Sequence, residues 1–150
     1  MKNASETVKS ISMELGGNAP FIVFGDCDVD RAIEGLVSAK FRNAGQTCIS
    51  ANRVFVQKNI FRPFHTKLKI RLEKLKVGDG FKSSDIGPLI SEKAVIKVEK
   101  NIDDAIKKGA QLYLGGKRHM AGKLFFQPTI LLDVQSNMNV FSEENFGPII

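Results

Sequence analysis

Tryptophan is absent from this 150-residue sequence, tyrosine occurs once, and cysteine and histidine occur twice each. Two cysteines are no disulfide framework, which points to a reducing, cytoplasmic interior. His65 and His119 are isolated, and no Cys/His cluster has metal-ligand spacing, so no bound metal is expected. No apolar run approaches the roughly 18 residues needed to span a bilayer. The polar opening MKNASETVKS lacks the hydrophobic region of a secretion signal. Membrane association is therefore not expected.

Acidic residues are fewer than basic ones, 16 against 22, giving a net charge of +6. The lysines are spread along helical patterns (Lys67, Lys69, Lys74, Lys76; Lys93, Lys97, Lys100) and mixed with Glu73, Glu92, Glu99, Asp103 and Asp104. That is the pattern of solvated helix faces. With one Tyr and no Trp to interleave, it does not mark a nucleic-acid surface. What remains, 43% hydrophobic and 25% charged residues, suits a soluble globular domain with one core.

Along the chain, residues 1–13 read as a connector. Glu14-Leu15-Gly16-Gly17-Asn18-Ala19-Pro20 breaks regular structure and allows close backbone approach. Phe21-Ile22-Val23-Phe24, wholly apolar, reads as a strand buried on both faces. Asp28 is a candidate N-cap for a helix carrying Val29, Ala32, Ile33, Leu36, Val37 and Phe41 on its apolar face. Val54-Phe55-Val56 reads as a second buried strand, and Ile60 to Val77 as an amphipathic helix. A third helix is expected over Ile90 to Lys108, with Ala94, Ile96, Val98, Ile102, Ala105 and Ile106 as its stripe and Gly109 as its cap. Leu112-Tyr113-Leu114, Phe125-Phe126 and Thr129-Ile130-Leu131-Leu132 read as short strands. The rhythm is α/β: a parallel twisted sheet with crossover helices on both faces. Ile149-Ile150 looks like mid-strand, so the chain is expected to be part of a longer protein.

One cysteine has a chemical setting. Cys48 follows Gly45-Gln46-Thr47 on a short loop between the first helix and the second strand. Its thiolate would be a strong nucleophile there, although a lone cysteine is also a common small core residue. Cys27, in a turn, carries no such pattern.

Glu14-Leu15-Gly16-Gly17, Gly45-Gln46-Thr47-Cys48 and Glu144-Asn145-Phe146-Gly147-Pro148 together resemble the aldehyde dehydrogenase superfamily. In that superfamily, E-L-G-G, G-Q-x-C and E-x-F-G-P segments occur in this order. The separations also fit, 34 residues from Glu14 to Cys48 and 96 from Cys48 to Glu144. The resemblance implies Cys48 as nucleophile and Glu14 as general base. It implies the Cys48 N–H as one oxyanion donor, the second donor being an asparagine upstream of this sequence. It also implies NAD or NADP as cofactor, with Glu144 on the nicotinamide ribose and Phe146 and Leu15 beside the nicotinamide ring.

Residues 1–20 would then be a connector or the end of the cofactor-binding domain, and 21–150 the catalytic domain truncated at its C-terminal end. The main cofactor-binding domain would lie before residue 1. The isolated chain would be inactive, and the intact enzyme a homo-oligomer.

Within the superfamily, Lys40 to Arg53 is most similar to the succinate-semialdehyde dehydrogenases. Arg42 matches the arginine that grips the substrate's distal carboxylate there, a task suited to a bidentate guanidinium. Its other reading is a cation closing a helix. Some relatives carry a second cysteine two residues after the nucleophile, where this sequence has Ser50, so a disulfide switch of that kind is not expected. Three alternatives stay open: another semialdehyde such as glutarate semialdehyde, a folded interaction module without chemistry, and a residual thiol-esterase using Cys48 and Glu14.

Overall fold

The computed structural model describes residues 1–150 and contains five α-helices, two short 3-10 helices (Arg42–Gly45 and Gly80–Lys82) and four strands. In chain order the α-helices and strands are α1 (Lys2–Ser5), β1 (Ala19–Val23), α2 (Val29–Phe41), β2 (Ala51–Val56), α3 (Lys58–Leu72), α4 (Glu92–Lys107), β3 (Gln111–Leu114), β4 (Ile130–Leu132) and α5 (Asn139–Ser142). The fold is α/β. No helix is long and apolar enough to cross a membrane.

The unit that places the site is β1–α2–β2. The two strands pair in parallel, Ala19 opposite Ala51 and Val23 opposite Val56, so a crossover is required and α2 supplies it. Asp28 starts α2 by accepting the N–H groups of Asp30 and Arg31 at 3.0 and 3.1 Å. The helix buries Ile33, Leu36, Val37, Lys40 and Phe41. Beside it, α3 buries Phe64, Leu68 and Leu72. Lys67–Asp30 and Arg71–Glu34 ion pairs join the exposed edges of these two helices, adding little to stability there.

Ser91 caps α4 by accepting the Ala94 N–H, and Gly109 closes it at φ +102°. The strands β3 and β4 pair antiparallel. Residues 149–150 then run parallel to 129–131: Thr129 N–H donates to Pro148 O, Leu131 N–H to Ile150 O, and Ile150 N–H to Thr129 O.

Several local expectations change. The first strand is covered on one face only: Val23 is buried, whereas Ile22 and Phe24 are exposed. An apolar run reports what a strand tolerates and leaves open whether this chain covers both sides. Helix α3 ends at Leu72, five residues early. Leu75 keeps the helical spacing, but its N–H bonds back only three residues, to Leu72 O, and Val77 bridges to Ile86 instead. On α4 the buried stripe runs through Val95, Val98, Asn101, Ile102 and Ala105, with Ile96 and Ile106 part-exposed at its margins. Phe125-Phe126 is no strand; Phe126 makes one isolated bridge, to Arg118.

Candidate active site

The parallel register of β1 and β2 decides where the loops meet. With Ala19 opposite Ala51, the residues entering β1 lie beside those entering β2. Gly17 therefore reaches Cys48: a Cβ on Gly17 would stand 2.6 Å from the Cys48 carbonyl oxygen. Only glycine permits that approach.

The cysteine loop is built from left-handed backbone. Asn43, Ala44 and Gly45 have φ of 52°, 56° and 76°. Asparagine and glycine adopt this region readily, but alanine does so at a cost of roughly 1–2 kcal/mol. Gln46 holds the turn. Its N–H and its Nε2 both donate to Asn43 O, and its Oε1 accepts the Ile90 N–H at 2.8 Å. The next turn, closed by Ser50 N–H on Thr47 O, presents Cys48 to solvent.

The third segment arrives from the far end of the chain. Glu144 Oε1 accepts the Gly17 N–H at 2.8 Å, and a Cβ on Gly16 would lie 2.7 Å from Glu144 Oε2. Asn18 Nδ2 donates to Phe141 O, while Asn18 O accepts Arg53 Nη2 at 2.7 Å. A Cβ on Gly45 would run into the Gly147 carbonyl, and one on Gly147 into Val98. The three glycine-bearing segments thus interlock through two backbone approaches, Gly17 to Cys48 O and Gly45 to Gly147 O, and through the Glu144 carboxylate.

Of the residues nominated from sequence, Glu14 and Leu15 lie just before this junction and are exposed, Leu15 at 69%. Glu14 makes no hydrogen bond or ion pair, and none joins it to Cys48. Arg42 is exposed at the end of α2, likewise without an ion pair or hydrogen bond. Glu144 is half-buried, and Phe146 is 40% exposed. Glu144 Oε2 accepts no hydrogen bond within the chain. A carboxylate with a free oxygen beside a glycine cradle and two exposed apolar side chains fits a ligand carrying hydroxyls and a flat ring. Cys27 is half-buried and packs against the core. A mostly apolar groove of about 330 Å³ opens between β2, α3, β4, α5 and residues 149–150; Asn52 and Asn145 line it, whereas Glu14, Arg42, Cys48 and Glu144 do not.

Sequence reasoning missed the polar knot beneath the site. Lys40 is fully buried and donates from Nζ to Asn52 Oδ1 at 2.9 Å and to Asn145 O at 3.2 Å. Burial pushes its pKa down to about 7. Asn145 is also held by Asn101 Nδ2 on its Oδ1, and its own Nδ2 donates to Val140 O. One signal was available. Lys40 continues the Ile33–Leu36/Val37 spacing and so stands on the apolar face of α2.

The aldehyde dehydrogenase family model matches residues 1–150. The chain is 54% identical over 150 residues to succinate-semialdehyde dehydrogenase [NADP(+)] of Escherichia coli (strain K12), covering 99% of this chain and 31% of that protein. It is 53% identical over 146 residues to 3-sulfolactaldehyde dehydrogenase of Pseudomonas putida, covering 97% and 30%. The crystal structure of succinate-semialdehyde dehydrogenase from Burkholderia pseudomallei superposes with a TM-score of 0.95 at 52% identity, over 99% of this chain and 31% of that one. The chain thus spans about a third of the length of the relatives it matches. Its interlocked segments and its match from end to end make it a member of the aldehyde dehydrogenase family.

Proposed function

We propose that these residues form the catalytic portion of an NAD(P)-dependent dehydrogenase that oxidises succinate semialdehyde to succinate. Residues 1–20 are read as the end of the cofactor-binding part and 21–150 as the catalytic part. The observation that carries the proposal is the double contact of Gly17, which touches the Cys48 carbonyl on one side and the Glu144 carboxylate on the other.

The Cys48 thiolate adds to the aldehyde carbon, forming a C–S bond, and the carbonyl oxygen becomes an alkoxide facing the Cys48 N–H. Glu144, Phe146 and Leu15 would hold NAD or NADP, which would supply the hydride acceptor that conversion of the Cys48 thiohemiacetal to a thioester requires. Glu14 removes a proton from water, which attacks the thioester carbonyl. The C–S bond breaks, releasing the carboxylic acid and returning the thiolate.

Arg42 holds the distal carboxylate, fixing the aldehyde near the thiol. Its lack of any partner within the chain supports this, since a surface guanidinium left open is available to an anion. The names of the relatives point the same way: a semialdehyde of succinate and a sulfonated aldehyde both pair an aldehyde with an anionic group. A five-carbon semialdehyde is the nearest alternative substrate.

The test uses the full-length protein. Cys48→Ser is expected to abolish aldehyde-dependent reduction of NAD or NADP. Glu14→Gln is expected to keep a stoichiometric burst of reduced cofactor followed by slow turnover. Steady turnover at the unmodified rate in Cys48→Ser would overturn the assignment.

A further inference from the structure

Lys40 is not needed for any step above, and its position is costly. Its amine is fully buried, and its hydrogen-bond partners, an amide oxygen and a backbone carbonyl, are both uncharged. A methionine would fill the place of its stem without burying an amine, so packing alone does not account for it.

The two partners lie on different elements. Asn52 is in β2, four residues after Cys48, and Asn145 stands between Glu144 and Phe146. The residues around Lys40 also touch that second segment, because Gly45 abuts the Gly147 carbonyl and approaches Lys40 O. Asn145 is in turn tied to α4 through Asn101 and to α5 through Val140 O. Four elements meet at this knot, and Lys40 is its member on the helix that leads into the cysteine loop.

From this geometry we propose that Lys40 is a positioning residue: its Nζ ties Asn145 to Asn52 and so fixes the segment carrying Glu144 and Phe146 relative to the one carrying Cys48. The inference rests on the reading of Glu144 and Phe146 as cofactor-contacting residues. It adds that their placement depends on an amine contributed by the nucleophile's own helix. Burial of the amine keeps water from competing for its two acceptors.

The experiment compares Lys40→Met, Lys40→Met/Asn52→Leu and Glu144→Gln with the unmodified full-length protein. Three readouts are taken: the Kd for NAD and NADP by calorimetry, the rate of Cys48 alkylation, and the melting temperature. Lys40→Met leaves Asn52 Oδ1 buried without a donor and is expected to melt lower. The double variant removes that orphan, leaving only the Asn145 carbonyl without its donor, and is expected to recover part of the melting temperature while binding dinucleotide at least fivefold more weakly. Its Cys48 alkylation is expected to stay within twofold. Full recovery of Kd in the double variant would show that Lys40 serves stability alone and would overturn the proposal. Should the double variant fail to fold, Lys40→Gln, which keeps an N–H donor, takes its place; unmodified Kd and alkylation in a folded Lys40→Gln beside a weakened Lys40→Met support the proposal, and equal weakening in both overturns it. Glu144→Gln checks the underlying reading separately. If it binds dinucleotide normally, the cofactor assignment of Glu144 fails, whatever Lys40 does.

Discussion

The backbone N–H of Gly17 donates to Glu144 Oε1 at 2.8 Å, joining residues 127 positions apart, and the same glycine lies against the carbonyl of Cys48. A methyl group on Gly17 would meet the Cys48 carbonyl oxygen at 2.6 Å and has to push the cysteine segment away. Gly17→Ala is expected to cost about 1–3 kcal/mol in urea denaturation and to change the alkylation rate of Cys48. Gly80→Ala is the control: nothing lies within 4 Å of its Cβ position, so stability should move by no more than about 0.5 kcal/mol. Equal effects at both positions would refute the interlock.

Ala44 holds a left-handed φ of 56° and is 1% exposed. In Ala44→Gly the relief of roughly 1 kcal/mol of backbone strain is offset by the greater freedom of glycine in the unfolded chain, about 0.4–1 kcal/mol. The net change should be near zero. Ala44→Val adds volume and β-branching at the same φ and is expected to destabilise by more than about 2 kcal/mol. Chemical denaturation of the pair distinguishes strain from ordinary packing.

Lys40 gives the fold a pH dependence of definite sign. Its pKa falls from 10.5 when unfolded to about 7 when folded. Between those values the unfolded chain carries a proton at this lysine that the folded chain lacks. Unfolding then takes up a proton, and stability rises with pH, by at most roughly 1.4 kcal/mol per pH unit from this group. Below pH 7 both states are protonated and the slope vanishes. Denaturation midpoints between pH 7 and 9 should climb in the unmodified protein, and that contribution should disappear in Lys40→Met.

The Arg42 side chain is exposed and makes no hydrogen bond or ion pair within the chain, so Arg42→Leu should leave the melting temperature in place. In the full-length protein it should lower kcat/KM for succinate semialdehyde by about 10- to 150-fold, the worth of a lost hydrogen bond to a charged group. Oxidation of butanal, which has no carboxylate, should change less than threefold. Equal losses on both aldehydes would remove Arg42 from substrate recognition.

Much of this was legible in the sequence where one side chain carries the signal. Asp28 reads as a cap because its carboxylate has a local job, and the run from Val29 to Phe41 reads as a helix because its burial is periodic. The order of the three motif segments could be read as well. Their mode of contact could not, because Gly17, Gly45 and Gly147 meet their neighbours through backbone and leave no mark except the absence of a side chain. Lys40 was passed over because lysine is ordinarily a surface residue; its burial depends on Asn52 and Asn145, which lie on other elements. Ile22 and Phe24 show the opposite failure. Their hydrophobicity suits a covered sheet face, yet in this chain that face is open.

The separation of 127 residues between Gly17 and Glu144 sets an order of events during folding. The β1–α2–β2 unit spans residues 19–56 and closes through the α2 crossover within that stretch, whereas the Glu144 segment must return from the opposite end of the chain. Contacts of such long range carry the larger entropy of closure and tend to consolidate last. The cysteine loop and its strand neighbours would then form while the carboxylate is still adrift. The thiol is then expected to be in place before the group that completes its surroundings, and time-resolved labelling of Cys48 during refolding is the measurement that checks this order.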